Sequence, residues 1–225
     1  FIAVVMVLLI FVLPVFEGMF KDMGAELPLP TQVVINISKI VKSYIIYMII
    51  ALAIGVFLFR RYYKTESGQR TIDRLVLKAP VFGVLALKSS VARVTRTLAT
   101  LLSSGVAILE SLVIVARVAK NKIVEDALIV ARAKISEGKS MSEPLQDSGI
   151  FPPMVVQMVQ VGESTGALDN MLNKIADFYE EDVDNLVTNL TSLMEPLIMM
   201  FLGVVLGGLI IAMYLPIFKL GQAVG

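Results

Sequence analysis

Apolar and polar positions divide the chain into three unbroken apolar runs and one long stretch in which they alternate with helical period. The first run is Phe1 to Leu13, the second extends from about Ser43 to Phe59, and the third from Pro196 to Phe218. The first has 13 residues; as a helix it reaches only about 20 Å, short of a hydrocarbon core of about 30 Å. A signal-peptide core would carry basic residues before it, and none stands there, so the run is expected to be a truncated transmembrane helix. The third, with 23 residues, is long enough to span a bilayer with some tilt.

Between the first two runs, residues 14–42 are expected to form a loop. Leu27-Pro28-Leu29-Pro30-Thr31 reads as non-helical, because proline pushes its predecessor toward extended backbone. The second run ends in Arg60-Arg61-Tyr62-Tyr63-Lys64. Cations and tyrosines at one membrane edge mark the cytoplasmic side, which puts residues 14–42 in the periplasm and the tail 219–225 there too.

Residues 60–195 read as a cytoplasmic antiparallel bundle of about six helices. Breaks fall at Pro80 and Gly83, Ser103-Ser104-Gly105, Asn121, Gly138, Asp147-Ser148-Gly149 and Pro152-Pro153. Glycine accepts the left-handed cap cheaply, proline suits a first helical turn, and Ser140 followed by Glu143 has capping-box spacing. Apolar stripes recur at helical spacing: Val91, Val94, Leu98, Leu101, Leu102; then Leu109, Leu112, Val113, Ala116; then Leu168, Met171, Leu172, Ile175, Phe178, Tyr179, Val183, Leu186, Leu190. The last stripe loses its polar face after Glu195, so the final bundle helix is expected to feed the membrane. The fold class is therefore an all-α membrane protein with a helical bundle and three transmembrane helices.

Composition agrees: 56% of the 225 residues are hydrophobic, above the range of about 45–50% usual for soluble proteins. The net charge of +1 gives no general attraction to nucleic acid. The absence of cysteine and histidine excludes disulfides, thiolate chemistry and the usual zinc sites. Charge is segregated, with cations dominating 60–96 and anions 163–184; two such faces are expected to pair with each other, the alternatives being anionic lipid or a partner. Six carboxylates scattered on one helix make a poor calcium site without a loop.

Gly162-Glu163-Ser164-Thr165-Gly166 matches the nucleophile-elbow pattern Gly-x-Ser-x-Gly, but that chemistry needs a histidine base on a strand–turn–helix. A serine–lysine variant would have only Lys174 nearby. The residues read instead as a glycine turn between two helices, with no catalytic role. Gly138-Lys139-Ser140 lacks the earlier glycine of a phosphate loop, so nucleotide energy would come from another protein. Gly203 and Gly207 have the spacing of a close helix-packing face. Glu195 and Pro196 mark membrane entry; Glu195 reads either as an interfacial carboxylate beside a helix-starting proline or as a charge held at membrane depth, which is costly and usually functional.

Taken in order, several stretches resemble the F-protein family of type II secretion, which includes the platform proteins of type IV pili (PilC/GspF type). They are Leu27-Pro28-Leu29-Pro30-Thr31; Pro80-Val81-Phe82-Gly83; Arg96-Thr97-Leu98-Ala99-Thr100-Leu101-Leu102 with Ser104-Gly105-Val106; Gly138 before Ser140-Met141; Phe151-Pro152; Gly162-Glu163-Ser164-Thr165-Gly166-Ala167-Leu168; Glu195-Pro196-Leu197; and Leu215-Pro216-Ile217-Phe218. The resemblance implies two related cytoplasmic domains, of which this chain carries the second. It implies a multi-pass protein of the bacterial inner membrane that is not an enzyme and takes no cofactor or metal. Its expected partners are a cytoplasmic assembly or retraction ATPase, pilins or pseudopilins, inner-membrane alignment proteins, the lipid bilayer and a second copy of itself, a dimer being favoured. Gly162, Glu163 and Gly166 carry the family signature. A transporter or channel subunit is the alternative, though the apolar runs hold almost no polar residues.

Overall fold

The computed structural model describes residues 29–223 and the single positions 5, 7, 10, 14, 15 and 18. Most of the expected membrane run over 1–13, residues 16, 17 and 19–28 of the expected loop, and the last two residues of the tail lie outside the described residues. All regular structure from residue 29 onward is helical: α1 (Leu29–Tyr63), α2 (Glu66–Lys78), α3 (Phe82–Ser103), α4 (Ile108–Val118), α5 (Lys122–Ser136), α6 (Ser142–Asp147), α7 (Pro153–Thr165) and α8 (Leu168–Ala223).

The chain divides into two compact units, Phe1–Leu58 with Thr191–Gly225, and Phe59–Leu190. In the second, the apolar stripes close on a core of Val91, Val94 and Leu98 from α3, Leu112 and Val115 from α4, Val124 and Leu128 from α5, Val155 and Val159 from α7, and Leu172 and Ile175 from α8. Met141 and Leu145, flanking and within the short α6, fill the same core. Most stripe residues lie in this core or pack against it. The exceptions are Leu109, Val113, Met171, Val183, Leu186 and Leu190, which are only half-buried and stand outside this core, and Phe178, 50% exposed beside the fully buried Ala176.

The expected breaks become caps. Asn121 accepts the amides of Ile123 and Val124 and starts α5. Gly105, Gly138 and Gly149 all take positive φ at helix ends. Pro153 opens α7. Gly83 differs: it lies inside the first turn of α3, where a Cβ would stand 2.3 Å from the Leu77 carbonyl oxygen. Close approach of α2, rather than helix termination, requires glycine there.

In the first unit, α1 starts at Leu29 and not near Ser43. Pro30 occupies the first turn, where a missing amide breaks no bond, so the expected loop over 29–42 is helical. Pro196 likewise does not start a helix. It lies within α8, which runs on from Leu168 to Ala223. Among the described residues, two helices, α1 and α8, are long and apolar enough to cross a membrane, and α2 with α3 would pass together only across a bend of 111°. α1 and α8 are antiparallel neighbours: Thr31 Oγ1 donates to the Ala212 carbonyl at 2.6 Å, while Val33, Val34 and Ile37 face Val205, Gly208 and Leu209 around an apolar cavity of about 450 Å³.

Candidate functional site: the turn between α7 and α8

The signature turn uses its two glycines for different physical reasons. Gly166 has φ 70° and ψ 14°, the left-handed region, and a Cβ there would meet nothing within 4 Å. The requirement is conformational. Its amide and that of Ala167, the latter at 3.0 Å, both reach the Gly162 carbonyl and close α7. Gly162 lies inside α7 and is buried. A Cβ there would stand 2.9 Å from Leu168 Cα and 3.2 Å from Met171 Cβ. The requirement is steric: this glycine sets how closely α8 packs on α7.

Glu163 points back into the bundle. Its carboxylate accepts the Met141 amide at 2.6 Å, the Ser140 hydroxyl at 2.6 Å and the Ser142 amide at 3.3 Å. The first amides of a helix have no partner in the helix itself and favour a negative charge; Glu163 caps α6 from 22 residues away. The expected capping box does not form, because Glu143 pairs with Lys139 at 2.9 Å and Glu163 takes its place. Ser164 is exposed, and its hydroxyl donates to the Val161 carbonyl one turn back at 2.9 Å. Lys174, the one lysine considered as its base, is also exposed.

Three carboxylates of the acidic face of α8 are paired with α3. Arg96 reaches Asp177 at 2.5 Å and Glu180 at 2.6 Å and donates to Asn173 at 3.1 Å, while Lys88 meets Asp182 at 2.5 Å. Hydrogen bonding to Arg96 holds the Glu180 carboxyl below its ordinary range, and Glu180 and Asp177 in turn raise the Arg96 guanidinium above its own. No cluster of three or more carboxylates suited to a metal ion occurs among the described residues. A neighbouring groove of about 430 Å³, lined by Arg93, Arg96, Glu180 and Asp184, is open and mixed in charge.

The other expected positions are not gathered here. Glu195 is exposed on α8. Gly203 and Gly207 lie on α8 where, among the described residues, an added Cβ meets nothing within 4 Å. One residue was missed altogether. Asp73, 5% exposed, accepts the Tyr63 hydroxyl at 3.1 Å and the Lys122 amide at 2.6 Å, joining the end of α1, α2 and the start of α5. Its signal in the sequence was that it is one of only two acids, with Glu66, in the basic run 60–96.

An all-α protein with a capped helical bundle and, among the described residues, two membrane-length helices is thus defined. Residues 94–216 match the family model described as "Type II secretion system (T2SS), protein F", and the chain belongs to that family. It is 49% identical over 223 residues to a type IV pilus assembly protein PilC of Myxococcus xanthus, covering 99% of this chain and 54% of that protein. It is 43% identical to the PilC of Pseudomonas aeruginosa, over 97% of this chain and 59% of the relative. Against a type II secretion system protein F of the same organism the identity is 35%, over the whole chain and 55% of the relative. The chain spans a little over half the length of these relatives.

Proposed function

We propose that this chain belongs to the inner-membrane platform of a type IV pilus machine, with a type II secretion machine as the related setting. In it, a cytoplasmic ATPase drives insertion of pilins or pseudopilins into the filament, or their removal. The observation that carries this reading is the family match itself. It runs from α3 in the bundle through to the apolar part of α8, the two parts such a coupling must join. Relatives named for pilus assembly share 49% and 43% identity, against 35% for a secretion relative, which favours the pilus. In this reading the protein does no chemistry of its own. The bundle residues 60–195 face the cytoplasm, residues 14–28 and 219–225 the periplasm, and alignment proteins flank the membrane helices. Gly203 and Gly207, against which no described residue packs within 4 Å, are offered to a helix of a second copy in a dimer.

The test is deletion of the gene, with complementation by the full-length protein. Surface filaments should vanish and return, and the motor ATPase should co-purify with the wild type. Normal filaments in the deletion strain would overturn the reading. Orientation is checked separately: a cysteine placed at Gly24 should react with an impermeant reagent from the periplasm, and one at Gln69 should not.

A further inference from the structure

The corner between α2 and α3 turns apolar side chains outward from the bundle unit. Leu75 is 69% and Phe82 65% exposed, with Val81 and Val84 about half exposed beside them. Val81 has φ 67° and ψ −59°, and the Phe82 amide donates to the Pro80 carbonyl at 2.8 Å. This is the γ-turn of the strained hand, which β-branched residues resist most. The strained turn brings Gly83 against the α2 backbone at Leu77 and leaves the valine and phenylalanine side chains displayed to solvent.

The same corner is cationic. Arg74 and Lys78 are exposed and have no ion-pair partner among the described residues. Asp73, the acid between them, is turned inward onto Tyr63 and Lys122, so its charge does not offset theirs at the surface. Apolar side chains ringed by cations suit an interface of acyl chains and anionic headgroups.

Continuity with α1 identifies the occupant. α2 begins three residues after Tyr63 and is fastened to the last turn of α1, which belongs to the same compact unit. The Thr65 hydroxyl donates to the Tyr62 carbonyl at 2.7 Å and accepts the Gly68 amide at 3.1 Å. Gly68 packs so closely on Tyr62 that any Cβ would collide with its carbonyl. One helix of 13 residues, about 20 Å long, therefore separates the corner from the basic edge at Arg60 and Arg61. We propose that the α2–α3 corner docks on the anionic phospholipid surface of the membrane that α1 enters. The inference rests on the membrane-spanning reading of α1.

The chain has no cysteine, so single cysteines at Phe82 and, as an exposed reference, at Ser136 can carry an environment-sensitive fluorophore in the full-length protein. The protein is placed in nanodiscs of phosphatidylcholine alone, or of phosphatidylcholine with one part in three phosphatidylglycerol. With phosphatidylglycerol, the label at 82 shifts to the blue and is quenched by spin-labelled lipid, and the label at 136 does neither. High salt reverses the effect. Arg74→Gln with Lys78→Gln lowers the ratio of docked to undocked protein about thirtyfold, at roughly fivefold per cation. Val81→Gly, which relieves the turn, raises the melting temperature yet weakens docking. A label at 82 as wet as that at 136 in both lipids, in protein that is inserted, overturns the docking alone. So does a label that dries only when a soluble partner is added. Protein that fails to enter the nanodisc overturns the docking together with the reading of α1.

Discussion

The two parts of α8 put one backbone to opposite uses. From Leu168 to Leu190 the helix buries Leu172, Ile175, Ala176 and Tyr179 and spends three carboxylates on Arg96 and Lys88. From Thr191 onward its large apolar residues, among them Leu193, Ile198, Met199, Phe201 and Val204, point outward. In water such a surface would be unfavourable by about 25 cal/mol for each Å² of apolar area; against lipid it is neutral. The first part is held by what it packs on within the chain, and the second by what surrounds it. A substitution should therefore matter in the first according to its neighbours and in the second according to solvent.

Gly162→Val is the harshest break of that contrast. The new side chain meets the α8 backbone at Leu168, and overpacking against backbone that cannot yield is expected to cost about 3 kcal/mol. Thermal unfolding followed by circular dichroism should show a melting temperature lower by several degrees; an unchanged value would mean that α7 and α8 are not in close contact. Glu163→Gln keeps the shape but removes the charge that caps α6. Loss of a charge-assisted cap is expected to cost about 1–2 kcal/mol, with hydrogen exchange rising first at Met141 and Ser142.

Arg96→Ala is milder, because Asp177 and Glu180 are 69% and 48% exposed. After discounting for solvent screening, the pair is worth about 0.5–1 kcal/mol at most. The effect has a sign in pH. Glu180 is held below its ordinary value in the fold, so its contribution is fully present above the unfolded value of about 4.3 and fades as pH falls through the lower, folded value. The stability gap between wild type and Arg96→Ala should therefore be constant near neutrality and narrow in acid. A gap that widens in acid would contradict the pairing. Least of all, Gly203→Leu should leave the unfolding of the isolated chain within about 0.5 kcal/mol of wild type, since no described residue stands within 4 Å of that face. If cross-linking between copies falls with this substitution while stability holds, the glycine face belongs to the dimer.

Much of this was legible in the chain. The second and third apolar runs, much of the stripes at helical spacing and the punctuation at Asn121, Gly138, Gly149 and Pro153 are local signals, and they became helices, core faces or caps because backbone preference and burial acted in the same direction. The charge segregation of α3 and α8 resolved into pairing for the same reason: opposite charges were already sorted by helix. The misplaced features have local causes too. Pro30 was read as a breaker, although a first-turn proline breaks nothing; Pro196 was read as a start, although α8 continues through it.

What the sequence by itself determined is the all-α character, the helix breaks, the membrane-length segments and the family. Only the tertiary structure decided which side chains meet across distance. Glu163 and α6 are separated by 22 residues, Asp73 and Lys122 by 49, and Thr31 and Ala212 by 181. Hydrogen bonds and close contacts act over a few ångströms, and no periodicity along a chain encodes which distant groups its folding will bring within that range.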